Sequence, residues 1–255
     1  MKMSLMLSKL FKQIVFYSLF LFLWEALALS GLWPQYILPA PSKVFFALIA
    51  GFANHTFLIG IGVSFKRLLI GFGIAIISGS ALGVLLLKFK ALDETLGSLV
   101  LGFQTLPSIC WFPLALLWFG LSEWAIIFVI IVGSLSSITI ATNSAFKNIS
   151  PIYLNVGKNM GAHGVTLLRK IIIPAAIPSL LVGLRQSWSF AWRSLMAGEL
   201  LFNCLGLGYL LNMGRELNDM SQVIAVIFII MLISVFIDRM ILGKVELAIR
   251  RRYGL

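Results

Sequence analysis

Charged residues are scarce in this chain: they make up 11% of its 255 residues, against about a quarter in a typical soluble domain. Hydrophobic residues supply 60%, and the mean hydropathy is +1.02. A water-soluble fold of this length has no interior large enough to hide so much apolar surface. Apolar runs such as WAIIFVIIVG do not alternate with polar residues, as the strands of a membrane barrel do. The composition therefore predicts an all-α, polytopic membrane protein.

The chain is also poor in residues that bind metals or perform catalysis. Its two cysteines, Cys110 and Cys204, lie in or near apolar segments without partner spacing, so packing roles are expected for both. Its two histidines, His55 and His163, are far apart and have no carboxylate cluster nearby. No Ser/His/Asp arrangement is visible. We therefore expect neither a metal site nor a catalytic site, and the chain is predicted not to be an enzyme.

A phosphate-binding loop is missing as well. The pattern G-x-x-x-x-G-K-[ST] has its nearest counterpart at Gly157-Lys158, where Ile152 replaces the first glycine and Asn159 replaces the Ser or Thr. No cofactor is therefore expected on this chain, and the energy for any transport must come from another protein.

The apolar runs divide into about six candidate membrane spans, because a helix needs about 20 apolar residues to cross the hydrocarbon core. Prolines and aromatic residues in the segment between the first two spans suit a broken helix at the membrane interface. The whole chain is predicted to be one transmembrane domain, with a core over about residues 54–243. The six spans are 13–33, 68–87, 95–120, 124–146, 171–202 and 222–242.

The net charge of +11 is explained by membrane orientation better than by nucleic-acid binding, because the basic residues collect in alternate loops. With both termini in the cytoplasm, only Lys43, Lys66, Arg67 and Arg215 fall in exterior loops. Arg185 and Arg193 fall within the fifth span. The cytoplasmic side then holds Lys2, Lys9, Lys12, Lys88, Lys90, Lys147, Lys158, Arg169, Lys170, Arg239, Lys244, Arg250, Arg251 and Arg252.

Two features of the first spans leave alternatives open. The N-terminal apolar stretch, with lysines before it and ALALSG at its end, fits either a retained helix or a cleavable signal peptide. Gly79 and Gly83 form a GxxxG motif, which fits close packing within one subunit or between two subunits.

A polar loop of about 25 residues, 147–170, separates the fourth and fifth spans. Gly161 and Gly164 suit a sharp reversal because glycine readily adopts positive φ. Tyr153, Val156 and Met160 recur at helical spacing and give one apolar stripe. Such an element fits either a position on the membrane surface or docking into a groove on another protein.

This loop resembles the signature loop of bacterial ABC importer permeases. In that family Glu-Ala-Ala is followed by a glycine four residues later, and Ile-x-Leu-Pro begins ten residues past the glycine. Here Asn155-Val156-Gly157 precedes Gly161, and Ile171-Ile172-Ile173-Pro174 follows it; the Glu-Ala-Ala triplet is absent. The stretches WEALALSGLWPQYILPAPSKV, QTLPSICWFPLALLWFG, PAAIPSLLVGLRQSWSFAWRSLMAGELL and GLGYLL are similar to the nitrate, sulfonate and taurine branch of the family.

The resemblance implies that the loop carries a coupling helix, which transmits the motion of a separate ATP-hydrolysing subunit. It implies a permease homodimer in the bacterial or archaeal inner membrane, two ATP-binding cassette subunits that bind ATP and Mg, and an extracytoplasmic solute-binding protein. The residues expected to contact the ATPase are Asn155, Val156, Gly157, Met160, Gly161, Ala162 and His163.

The fifth span carries two neighbouring polar strips, which are costly in a membrane and therefore candidates for function. At 100° per residue, Arg185, Trp188, Trp192 and Glu199 share one strip, and Arg193 lies on the other with Gln186 and Ser189. Both strips fit either a translocation pathway or structural pairing within the bundle. The third span adds Gln104, Thr105 and Trp111 around Pro107, where a packing kink and a pathway wall are both possible.

The sequence thus predicts the permease subunit of an ABC importer for a small anion such as a sulfonate, taurine or nitrate. A permease of the same branch for a vitamin precursor or another small metabolite is the nearest alternative. An autonomous secondary transporter is a more distant one, because no inverted repeat is visible.

Overall fold

A computed structural model describes the backbone of residues 2–253 and the side chains of residues 11–249 and 251. All regular structure in this part of the chain is helical. Single turns of tighter or wider helix occur at 108–111, 168–172 and 237–242. The α-helices are α1 (Lys2–Leu29), α2 (Pro41–Ala53), α3 (Thr56–Lys88), α4 (Lys90–Thr105), α5 (Phe112–Phe119), α6 (Glu123–Lys147), α7 (Pro151–Asn159), α8 (Gly164–Leu167), α9 (Ile173–Phe202), α10 (Leu207–Glu216), α11 (Met220–Phe236) and α12 (Gly243–Tyr253).

Five helices among the described residues are long and apolar enough to cross a membrane, and a bent pair raises the number to six. This confirms the predicted all-α, polytopic membrane architecture. The second span is much longer than predicted, since α3 has 33 residues and begins at Thr56. The fifth runs without interruption over Gly164–Phe202, from α8 through a wide π-helical turn into α9.

The segment between the first two spans contains a helix that the sequence reading did not predict. Its prolines do not break a helix there, because Pro41 stands at the first position of α2, where no amide hydrogen is needed. The Glu25 carboxylate of α1 accepts hydrogen bonds from the Ser42 amide (3.1 Å) and hydroxyl (2.8 Å). The indole of Trp24 donates to the Pro39 carbonyl. These bonds join the end of α1 to the start of α2.

The third predicted span, 95–120, is divided at Pro107 into two helical segments, where the sequence allowed a packing kink. The chain turns by 106° between α4 and the Ser108–Phe119 segment. The break falls at Leu106 and Pro107, whose backbones are extended. Pro107 disfavours a helical conformation at the preceding residue, which explains why α4 ends where it does.

Helices α3, α6 and α9 form the centre of the bundle. Gly79 and Gly83 face α6: a Cβ atom at Gly83 would lie 2.7 Å from the Thr139 carbonyl oxygen, and one at Gly79 would lie 3.0 Å from Ile138. The GxxxG motif therefore serves close packing within one subunit, one of its two predicted uses. A hydrogen bond of 2.9 Å between Ser187 and Ser137 joins α6 to α9.

A buried ion pair lies at the end of the bundle opposite the 147–170 loop. Arg67 donates to Glu199 (3.0 Å) and to Glu123 (2.9 Å), and Ser64 and the Gly208 amide also donate to Glu199. Arg67 is 2% exposed and Glu199 is completely buried. The placement of Lys66 and Arg67 in an exterior loop is therefore wrong, because both residues lie inside α3, where Arg67 pairs with α9 and Lys66 stays exposed.

A second ion pair lies nearer the loop. Arg185 of α9 donates to both carboxylate oxygens of Asp238 (2.6 Å each) and to Glu246 (3.0 Å). A two-pronged arginine–carboxylate contact of this kind fixes orientation as well as distance. It holds α9 against the continuous α11–α12 segment.

The Arg67–Glu199 pair supports a stability prediction. Glu199→Ala leaves the buried Arg67 guanidinium with only the half-exposed Glu123 as counter-charge and removes the acceptor of Ser64 and of the Gly208 amide, so we expect a loss of about 3–5 kcal/mol of folding free energy. The measurement is thermal unfolding of the purified protein in detergent. Glu94→Ala is the matched control: Glu94 lies 3.8 Å from Lys90 on an exposed surface, and its loss should cost about 0.5 kcal/mol or less. Equal shifts in the two variants would contradict the role of the buried pair.

Candidate functional site

The 147–170 loop folds into two short helices joined by a tight turn. The amides of Gly161 and Ala162 donate to the carbonyls of Lys158 and Gly157 (2.9 Å each), which closes the end of α7. Gly161 and Gly164 have φ of +82° and +53°, which confirms that the reversal uses the left-handed conformation.

The loop is fixed to the fifth span by close packing. Gly157 is buried, and a Cβ atom there would lie 2.1 Å from the Ile171 side chain and 3.0 Å from Leu167. Because the helix continues from Gly164 to Phe202, α7 rests on the first turns of the same helix that crosses the membrane. Any force on α7 is therefore applied directly to that helix.

An apolar surface on the loop has no partner among the described residues. Tyr153, Val156 and Met160 are 57%, 51% and 82% exposed. They line a groove of about 730 Å³ between α7 and the start of α9. Of the other predicted coupling residues, Asn155 and His163 are exposed and Ala162 is half-buried. The stripe expected from helical spacing is thus present as one continuous surface.

The two polar strips of the fifth span meet different surroundings. Trp188 and Trp192 are buried in the apolar core, against Phe72 and Phe65 of α3. Their strip neighbours, Arg185 and Glu199, form the two ion pairs described above. This strip therefore faces the interior of the subunit, where it packs and pairs.

The strip of Arg193 faces an open cleft. The cleft has a volume of about 330 Å³ and lies where the break between α4 and α5 meets α6 and α9. Arg193 is exposed; its Nε donates to the Ser189 carbonyl (3.1 Å), and its guanidinium carbon lies 4.8 Å from the centre of the Phe190 ring. The residues lining the cleft are Gln104, Thr105, Leu106, Pro107, Ser108, Ile109, Gly133, Phe190, Arg193 and Ser194.

A second cleft of about 230 Å³ shares Gln104 with the first and extends towards the 147–170 loop. Its polar lining comes from α4, α6 and α9 and from Asn148 just after α6, and none of its lining residues is charged. Together the two clefts form a polar groove from the α4–α5 break to the end of α6. The polar residues of the second cleft are Gln104, Ser137, Ser144, Asn148, Ser179 and Gln186.

The structure thus brings together Gln104, Thr105 and Arg193 from the predicted pathway residues. Trp111 lies outside this lining, with its ring against Phe103 at 5.4 Å. A pathway role for Arg185, Trp188, Trp192 and Glu199 stays a prediction with no support from the geometry. The sequence reading missed Ser137, Ser144, Ser179 and Ser194, although serines at helical spacing in apolar runs are a recognisable signal of a cavity wall.

Comparison with known proteins identifies the family. The family model described as the binding-protein-dependent transport system inner membrane component matches residues 71–242, which is more than half of the chain. The chain belongs to this family of ABC importer permeases. Among the described residues, no group of three His, Cys, Asp or Glu side chains is arranged to hold a metal ion.

Three relatives agree with this membership. A protein named as an ABC transporter permease of Methanocaldococcus jannaschii is 35% identical over 85% of this chain and 83% of its own length. The taurine transport system permease protein of Escherichia coli is 24% identical over 84% and 80%. The nitrate import permease protein of Leptolyngbya laminosa is 29% identical over 71% and 65%. The sequence-based prediction of an importer permease of the nitrate, sulfonate and taurine type is therefore confirmed.

The turn of this permease's loop supports a prediction. Gly161→Val places a β-branched residue at φ +82°, which we expect to cost about 1–3 kcal/mol and to loosen the α7–α8 turn. Limited proteolysis of the membrane-embedded protein measures that loosening within the loop. Gly73→Val is the control, since a Cβ atom at this helical glycine meets no atom within 4 Å. Unchanged cleavage of the loop in Gly161→Val would contradict the role of this turn.

Proposed function

We propose that this permease subunit imports a small oxyanion that an extracytoplasmic binding protein delivers, and that a separate ATPase drives the cycle through α7. The observation that carries the proposal is the exposed stripe of Tyr153, Val156 and Met160 on a helix anchored to the fifth span. Its neighbour Gly157 supplies the anchoring contact. The loop thus combines a docking surface with a mechanical link to the helix that lines the polar groove.

ATP and Mg belong to the ATPase subunit in this proposal, and this chain binds no cofactor. The chain contains no phosphate-binding loop, which is consistent with that division of labour. We further propose that two copies of the permease form the pathway and that each copy receives one ATPase subunit. The polar groove then supplies one half of the pathway wall, and its partner copy supplies the other.

The chemistry of the groove supports an anionic solute. Its only charged lining residue is Arg193, and no carboxylate of the described residues lines either cleft. The taurine and nitrate permeases among the relatives are named for small solutes that carry an oxyanion group, which is nitrate itself in one and the sulfonate of zwitterionic taurine in the other. A transport assay in vesicles that contain the permease, the ATPase and the binding protein tests this class with labelled nitrate and labelled taurine. ATP-dependent uptake only of solutes without an oxyanion group would contradict it.

Docking of α7 on the ATPase gives the next prediction. Val156→Asp places a charge at the centre of the apolar stripe, and burying it unpaired should weaken association with the ATPase about tenfold or more. Co-purification and stimulated ATP hydrolysis measure the effect. Leu217→Asp is the matched control, because Leu217 is 63% exposed at the opposite end of the bundle. Retention of full ATPase binding by Val156→Asp would exclude this surface.

The charge bias predicts that both termini and the 147–170 loop face the cytoplasm. Single cysteines introduced at Arg251 and at Thr166, in a background without Cys110 and Cys204, should resist a membrane-impermeant thiol reagent in intact cells. A cysteine at Asn218, between α10 and α11, should react. Labelling of the Arg251 cysteine from outside would overturn this orientation.

A further inference from the structure

Arg193 differs in its contacts from Arg67 and Arg185, the two arginines of the spanning helices that form ion pairs within the bundle. Arg67 and Arg185 each contact two carboxylates. No carboxylate of the described side chains lies within 4.0 Å of the Arg193 guanidinium, which is held by a carbonyl and an aromatic ring. A permanent charge in a membrane span is costly, so the missing counter-charge needs a physical explanation.

Other polar groups in the same cleft also have no partner. Ser194 is 1% exposed, and its hydroxyl forms no hydrogen bond within the described part of the chain. The side chains of Gln104 and Ser108 likewise form none there. Ser194 is buried and Gln104 and Ser108 are half-buried, so these three groups and the Arg193 guanidinium are all available to a ligand that enters the cleft.

From this convergence we propose that the cleft at the α4–α5 break is a permease-side binding site for one oxyanion, with Arg193 as its anchor. The inference rests on the proposed function and deepens it, because it names the residues that bind the anion after it has left bulk water and entered the permease. The terminal guanidinium nitrogens can donate two parallel hydrogen bonds to two oxygens of a nitrate or sulfonate group. The hydroxyls of Ser108 and Ser194 and the amide of Gln104 can donate to the remaining oxygens.

The geometry leaves the guanidinium available for this contact. The Ser189 carbonyl engages Nε, and Phe190 covers one face, so the terminal nitrogens are not used by the carbonyl. Gly133 forms part of the lining; a Cβ atom there would lie 2.0 Å from Ser194 Oγ and 3.2 Å from Ser108 Cβ. Glycine at this position therefore keeps two of the donor side chains close together. The volume of about 330 Å³ is at the small end of ligand pockets and suits a small anion.

A charge-selective labelling experiment tests the site without relying on transport. Ile109 lines the cleft, is 50% exposed and is not one of the proposed ligands. Ile109→Cys in the Cys110→Ser, Cys204→Ser background is assembled with the ATPase in lipid nanodiscs. Reaction with an anionic sulfonatoethyl and a cationic trimethylammonioethyl methanethiosulfonate is followed by intact mass of the permease. We expect the ratio of anionic to cationic labelling rates to be higher for this cysteine than for a small free thiol in solution. Nitrate or methanesulfonate should slow both reactions, because the anion occupies the cleft.

Removal of the charge should reverse this preference. In the same background, Arg193→Gln should lower the ratio of anionic to cationic labelling about tenfold, because a unit charge is lost a few ångströms from the thiol in a partly desolvated cleft. Arg193→Lys should keep the charge preference but lose much of the protection by nitrate, because lysine cannot form the two-pronged contact. Arg239→Gln is the control, since Arg239 is exposed and lies outside the cleft.

A transport assay then tests the anion site and the proposed function separately. We expect Arg193→Gln to import labelled taurine or nitrate at least about tenfold more slowly while it still binds the ATPase and hydrolyses ATP with the binding protein. Normal import by Arg193→Gln, or equal labelling by the two reagents with Arg193 present and no protection by anions, would overturn the site and leave the proposed function intact. Absence of ATP-dependent import in the unsubstituted complex would overturn the proposed function instead. If Arg193→Gln does not assemble, the labelling and protection of the Arg193-containing protein still decide the question.

Discussion

In the hydrocarbon region of a membrane, a polar group needs a partner within the protein, and this constraint governs the arrangement of the spanning helices. Arg67 and Arg185 satisfy it with carboxylates from other helices, so each joins elements that are far apart in sequence. Serine hydroxyls that face the bundle satisfy it with carbonyls of their own helices, as Ser134 does with Ile130 (2.7 Å). Arg193 has no carboxylate within 4.0 Å among the described side chains, and it lines the groove together with Ser108 and Ser194.

The same constraint explains what could be predicted from the sequence. Long apolar runs leave few alternatives to helices, so the class and most spans follow from composition alone. The turn and the exposed apolar stripe of the 147–170 loop were also predictable, because Gly161 and the spacing of Tyr153, Val156 and Met160 are local signals. The break at Pro107 was visible as a proline, but its 106° bend depends on how α4 and α5 pack on α6. That packing is not encoded within the segment itself.

The ion-pair partners of Arg185 and Glu199 could not be predicted from the sequence, because they lie far away along the chain. Helical geometry placed Arg185 and Glu199 on one strip, yet their roles are set by Asp238 and Arg67, which are 53 and 132 residues away in the chain. Polarity in a span has two explanations, pairing and pathway, and only the position of the counter-charge distinguishes them. For Arg193 no such counter-charge exists among the described residues, and this could not be known from its own helix.

The continuous helix from Gly164 to Phe202 has a consequence for how this permease can change over evolution. One continuous helix carries the support for the proposed ATPase contact at one end, Arg193 of the proposed anion site further along, and the Glu199 ion pair near the other end. A substitution on this helix that adapts the groove to a different solute therefore also affects the packing of α7 and the Glu199 ion pair. Selection for a new nutrient meets less resistance in a separate receptor than in this helix.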